Sequence, residues 1–199
     1  MTPQHGLWAL LMGQFFALGY LGIPRIVEGR EWISIAFAFE DKIPYQSWAA
    51  LPYTLGYVYA VSPGIWFSEI HFFRRGALGL MAAMAVSFVC FLLIPVRVMT
   101  PPPSGFWDSL LLPRMLWLND GGWNSFPSLH VATATLAWGS LRHVSPRIKI
   151  LASICWALIF ASTLLLKKHY LLDSLTGAAL GLVLHRLIVE PVHRAEEQA

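Results

Sequence analysis

The sequence predicts an all-α fold, an integral membrane bundle of six transmembrane helices forming one domain over residues 1–199. Three observations carry that expectation. First, 56% of the residues are hydrophobic and only 13% are charged, against roughly 25% charged residues in a soluble domain. Second, the apolar residues gather into six runs near the ~20 residues that a bilayer-crossing helix needs. Third, the runs are separated by short polar or proline-bearing connections, with no internal repeat and no low-complexity tract. A chain with so little charge cannot cover a globule with polar surface, so a soluble domain is excluded.

Taken in order, the first span runs from about Leu7 to Ile23 and stops at Pro24-Arg25. Its flank lacks a basic leader and a cleavage pattern, so it reads as a retained span rather than a signal peptide. A more polar stretch with four acids follows, Glu28 to Tyr45, ending in EDKIPY. The second span is about Trp48 to Phe67, and HFFRRG, His71 to Gly76, is a basic connection. The third is about Ala77 to Val98. Pro101 to Pro103 then forbid a continuing helix. Further on, SLLLPRMLWL, Ser109 to Leu118, reads as a short interfacial helix. The fourth span starts at Pro127 and ends near Leu141, the fifth is about Ile148 to Leu166, and the sixth about Tyr170 to Val189.

The net charge of +3 comes without a basic cluster long enough for nucleic acid, so the expected partner is the anionic membrane surface. With six spans both termini share one side, and lysines and arginines divide seven to seven between the sides. Setting aside Arg97, Lys167 and Lys168, which abut polar motifs, places the termini in the cytoplasm and the motifs on the opposite face. Cys90 and Cys155 sit inside apolar runs without metal-like spacing and read as small buried hydrophobes.

Two polar motifs interrupt the apolar chain: NSFPSLHVA, Asn124 to Ala132, and KKHYLLD, Lys167 to Asp173. Six-span parity puts them on one membrane face. Pro127 suits the first turn of a helix, and Asn124 and Ser125 can cap it. Ser128 and His130 then lie at a helix N-terminus, where free N–H groups and the helix dipole favour an anion such as phosphate. His169 and Asp173 are four apart, one helical turn. The carboxylate can hold one imidazole nitrogen and leave the other as a nucleophile or base. Ser162, seven before His169, can share that face. One histidine as nucleophile, one as acid and an anion cradle make a constellation for phosphoryl transfer. The chemistry needs cations, and Arg97, Lys167 and Lys168 are the candidates. Taken singly, the features have plainer readings: a capping histidine, a helical ion pair, lysines snorkelling to headgroups.

Together these residues resemble the type 2 phosphatidic acid phosphatase superfamily, whose motifs are K-x6-R-P, P-S-G-H and S-R-x5-H-x3-D. Pro127-Ser128-Leu129-His130 matches the second with Leu for Gly. Ser162, Thr163, His169 and Asp173 match the third with Thr for Arg. In the first, the stretch LIPVRVMTPP has Leu93 at the Lys position and Thr100 at the Arg position. The resemblance implies a phosphohistidine on His169, Asp173 as its charge partner and His130 as acid and then base. It implies Ser128 as a phosphate ligand, a lipid phosphate as substrate, and no metal or other cofactor. The departures are similar to the inositol phosphorylceramide synthase and sphingomyelin synthase branch, which transfers a phospho-headgroup to a lipid alcohol, and DKIPY resembles a loop of that branch. Hydrolysis is the first reading and transfer the second. A protein that only binds anionic lipid is the non-enzymatic alternative.

Overall fold

The computed structural model describes residues 2–67, 69–111 and 121–191. Among them the regular structure is helical, with a single isolated bridge between Ile33 and Val96. The helices are α1 (Pro3–Val27), α2 (Ala50–Val61), α3 (Pro63–Trp66), α4 (Ile70–Leu93), α5 (Phe106–Leu111), α6 (Leu129–Leu141), α7 (Pro146–Leu165) and α8 (Leu171–Leu184), the last continued by a π turn over His185–Val189.

Local chemistry sets most of these ends. Proline at the first position opens α1 and α7, and the Ser145 hydroxyl accepts from Ile148 N at 3.2 Å. The expected start at Pro127 moves to Leu129, because Ser128 rather than Asn124 or Ser125 is the cap, its Oγ accepting from Val131 N at 3.3 Å. HFFRRG is not a connection but the opening turns of α4. Arginine is a good helix former, and its long stem lets the charge reach the interface from inside a helix. At the other end α4 stops at Leu93, because Ile94 precedes Pro95 and is driven out of the helical region. Of the expected interfacial helix, Ser109 to Leu111 belong to α5, and 112–118 lie outside the described residues.

Among the described residues, four helices are long and apolar enough to cross a membrane: α1, α4, α7 and α8 with its π turn. The second and fourth expected spans are helices of 12 and 13 residues, about 18–20 Å at 1.5 Å per residue, against a hydrocarbon core of ~30 Å. A 3-10 turn over Ser47–Ala49 precedes α2 and α3 follows it after a break at Ser62-Pro63, so that this stretch is helical in three pieces.

The core lies between α1, α4, α6 and α8, around Ile23, Val27, Leu80, Phe88, Phe91, Leu129 and Leu136. The most extensive helix contact is α6 on α8. Gly177 and Gly181, one turn apart, let the backbones meet: a Cβ on Gly177 would lie 2.4 Å from Ser128 O, and one on Gly181 2.5 Å from Ala132 O. Small residues at such spacing are how helices associate where lipid removes the hydrophobic drive. On the other flank of α6, Trp138 Nε1 donates to Ser153 Oγ and Trp156 Nε1 to Thr135 Oγ1, both at 2.9 Å, which ties it to α7. The Tyr59 hydroxyl donates to Ala152 O and joins α2 to the same helix. The outer surface is apolar, with Leu7, Leu18, Leu55, Ile65, Ile150 and Leu158 exposed, as a bilayer-facing surface requires.

The polar segments collect at one end. There Asp108 is fully buried and accepts from five donors: the Tyr45 hydroxyl, Ser47 Oγ and the amides of Ser104, Gly105 and Ser109. It pins the loop before α2 to the start of α5. Burial by itself would raise its pKa, but hydrogen bonds from Tyr45, Ser104, Gly105 and Ser47 outweigh burial and hold the carboxyl below the usual range.

Two outcomes are expected. Gly181→Val drives a branched side chain into the Ala132 carbonyl, so the thermal midpoint of the detergent-solubilised protein falls by the equivalent of about 1–3 kcal/mol. Because the folded pKa of Asp108 lies below the unfolded ~3.9, its stabilisation is complete above that pH and fades only as pH drops toward the folded value. Amide protection factors at Ser104, Gly105 and Ser109 should therefore be level from pH 5 to 9 and decline under about pH 4.

Candidate active site

His130 occupies the second position of α6, and α2 builds its surroundings. Its ring stacks on Tyr53 with centroids 4.3 Å apart at 15°, and Tyr57 meets it edge-on at 4.9 Å. Between the tyrosines, Gly56 presents bare backbone. A Cβ there would stand 2.3 Å from His130 Nε2. The nitrogen is buried and has no hydrogen-bond partner. Leaving such an atom unsatisfied costs about 1–3 kcal/mol, so a ligand group that bonded it would recover that energy.

His169 sits at the corner between α7 and α8, 8% exposed. Its Nδ1 lies 3.1 Å from Ser125 O and 3.6 Å from Asp173 Oδ2. A carbonyl can only accept, so Nδ1 carries the proton and Nε2 keeps its lone pair. The direct carboxylate–imidazole hydrogen bond expected from the spacing is thus made chiefly by the Ser125 carbonyl. Asp173 is fully buried and stands just beyond hydrogen-bond range of the imidazole. Its Oδ2 accepts from Tyr170 N at 2.8 Å, closing the first turn of α8, and its Oδ1 has no partner. A cation forming on His169 would be stabilised by this carboxylate.

The two halves join through backbone. Ser128 N donates to Asp173 O at 2.9 Å, the hydrogen bond that the glycine contact of α6 with α8 permits. His130 and His169 then line one cavity of about 230 Å³, with Asn124, Tyr20, Tyr53, Tyr57 and Thr133 among its walls. Asn124 Nδ2 donates to Tyr20 O, while its Oδ1 is buried without a partner.

Other expected residues lie apart from that cavity. Ser128 is fully buried and caps its own helix. Ser162 donates to Ile159 O. Thr163, at the motif's Arg position, pairs with Ser174 Oγ at 3.0 Å and fastens α7 to α8. The Arg97 guanidinium lies over Trp123, 5.0 Å from the ring centroid, and its Nε donates to Gly121 O. Lys167 Nζ donates to Glu40 O at 2.5 Å. Lys168, half-buried, follows it directly before His169. None of these six is among the cavity's lining residues.

Sequence reasoning missed Tyr53, Gly56, Tyr57, Asn124 as a cavity wall and Ser125 as the imidazole's acceptor. A Tyr-x-x-Gly-Tyr run with a gap at glycine was the available signal on α2. The Ser125 contact has none, because a backbone carbonyl belongs to every residue alike.

The family model described as the PAP2 superfamily matches residues 28–187 of the chain. No curated protein and no solved structure matches it.

Gly56→Ala is expected to push His130 out from between Tyr53 and Tyr57. Ring stacking shifts imidazole protons upfield in the wild type. In NMR spectra of selectively labelled protein, the variant's His130 signals should move toward free-histidine positions while those of His143 stay in place.

Proposed function

The chain belongs to the PAP2 superfamily, and we propose that it is a membrane lipid phosphate phosphatase working through a phosphohistidine without a metal. Its superfamily supports phosphatase or phosphotransferase chemistry on lipid phosphates in general. The observation that carries the finer reading is the pair of histidines on one cavity, His169 with Nδ1 committed to a carbonyl and its Nε2 lone pair retained.

The proposed cycle balances. His169 Nε2 attacks phosphorus, the P–O bond to the lipid breaks, and His130 protonates the leaving alkoxide. The Asp173 charge stabilises the cationic imidazole. His130 then takes a proton from water, the hydroxide attacks phosphorus, and the N–P bond breaks to release inorganic phosphate. Ser128, fully buried and capping α6 outside the cavity lining, is assigned the α6 N-terminus rather than a direct bond to the phosphate. Arg97, Lys167 and Lys168 supply positive potential around the corner, with Arg97 O receiving the Tyr170 hydroxyl at 3.4 Å and so lying on the segment against it. A cation held on carbonyls this way adds field and not a phosphate hydrogen bond.

A lipid tail is supported by the space beyond the histidines. Ala9, Met12, Ala60, Val61 and Leu80 wall both the histidine cavity and a larger one of about 540 Å³. Ser140 is the lone hydroxyl-bearing residue in the larger lining. We read α2 with α3, and α6, as the second and fourth of six crossings. Both motifs then lie on one side, assigned to the non-cytoplasmic face. Transfer to a lipid alcohol is the second reading, favoured by Thr163 standing at the motif's Arg position, as in the synthase branch.

The test incubates detergent-solubilised protein with a lipid phosphate, with and without a lipid alcohol. Inorganic phosphate released without acceptor is the expected outcome. A product that forms only with acceptor, with no phosphate released, would replace hydrolysis by transfer. His130→Ala should lower turnover about 10²–10⁴-fold, and His169→Ala should abolish it together with acid-labile phosphate on the protein. Unchanged turnover in His169→Ala would overturn the phosphohistidine reading, and a wild type without turnover would leave a protein that only binds anionic lipid.

A further inference from the structure

Glu40 lies outside all three motifs, on the loop between α1 and α2, yet it is 5% exposed. Its Oε2 accepts from Leu171 N at 2.9 Å, the first amide of α8, and its Oε1 from Phe37 N at 2.9 Å. Its carbonyl receives Ile43 N at 3.1 Å, closing the 3-10 turn Glu40–Lys42, and also Lys167 Nζ. The residues two before and two after His169 are therefore both held by Glu40.

The corner needs such a hold. Lys167 has φ +52°, in the left-handed region that a residue with a Cβ adopts at a cost, and such a conformation persists only where its surroundings over-determine it. Thr163 O takes the amides of Lys168 and His169 at 2.9 and 3.2 Å, and Thr100 Oγ1 donates to Lys167 O at 2.9 Å. These bonds fix the backbone just before the imidazole. Glu40, the buried residue of the turn Glu40–Lys42, supplies the tie from the far side and anchors it to another segment. A carboxylate also matches the positive end of α8, beside Asp173 on the neighbouring amide of Tyr170.

We propose that Glu40 is the positioning residue of His169: its carboxylate and carbonyl clamp the α7–α8 corner so that Nδ1 stays on Ser125 O and Nε2 faces its reaction partner. This rests on His169 being the nucleophile. A displacement of about 1 Å at a reacting group can cost 10²-fold in rate, so the clamp acts on turnover more than on binding.

The experiment compares wild type, Glu40→Gln, Glu40→Ala and Lys167→Met as full chains in detergent. A soluble short-chain phosphate monoester is the probe, and hydrogen exchange over 167–171 is a second readout. Glu40→Gln keeps size but turns an amide donor toward an N–H, so kcat should fall about 10–100-fold with KM within about 2-fold and the thermal midpoint nearly unchanged. Lys167→Met should fall between it and wild type, and exchange at the Leu171 amide should quicken in both Glu40 variants. Unchanged kcat in an active enzyme, or a loss that merely follows the folded fraction, overturns the proposal. If wild type itself releases no phosphate, the catalytic reading has failed. Exchange then decides the clamp separately, and wild-type protection of 167–171 in Glu40→Ala overturns it.

Discussion

The close approach of α6 to α8 is the contact on which the rest of the site depends. Gly177 and Gly181 remove the side chains that would hold the two backbones apart, and Ser128 N reaches Asp173 O as a result. Inside a bilayer, apolar side chains gain nothing by leaving lipid for protein, so packing and hydrogen bonds must supply the association. That one crossing brings a loop from the middle of the chain and a corner near its end to one place. It also sets the distance from His169 Nδ1 to Ser125 O, which selects the imidazole tautomer.

Around this crossing, the polar end of the molecule is organised by buried carboxylates held through backbone amides and hydroxyls. Asp108 gathers hydroxyls and amides from two loops, and Glu40 gathers amides from a turn and a helix start. Both are satisfied through N–H and O–H donors, which offset the cost of burying charge. Asp173 differs, since one of its oxygens is without a partner and it faces an imidazole that changes charge in the proposed cycle. The lysine and arginine near the corner are occupied by carbonyls. Arg97 and Lys167 are thus set back from the cavity, and the orphaned nitrogen of His130 and oxygen of Asn124 are among its polar features.

Much of this was legible in advance. Apolar runs placed most helices to within a few residues, since a span must be continuous, but the third expected span ran on to Val98, past Pro95, whereas α4 stops at Leu93. Ser128, His130, His169 and Asp173 were legible because their spacing repeats a motif of the PAP2 superfamily, to which the chain belongs. The start of α4 was misplaced because RRG reads as a loop by charge alone, whereas arginine can stay helical and extend its charge to the interface. The length of α2 was also hidden: an apolar run continues through Ser62-Pro63, where the helix itself breaks.

The sequence by itself pointed to an all-helical chain suited to a membrane and, through a superfamily motif, to two histidines and an aspartate as one candidate site. Those are consequences of hydropathy and of spacing along the chain. Only the tertiary structure decided the partners. Tyr53 and Gly56 frame His130 from a helix more than seventy residues away, Ser125 takes the proton-bearing nitrogen of His169, and Glu40 holds the corner from its far side. Each is a contact between distant segments made through a ring face, a missing Cβ or a backbone carbonyl, and such features carry no periodicity from which the sequence could announce them.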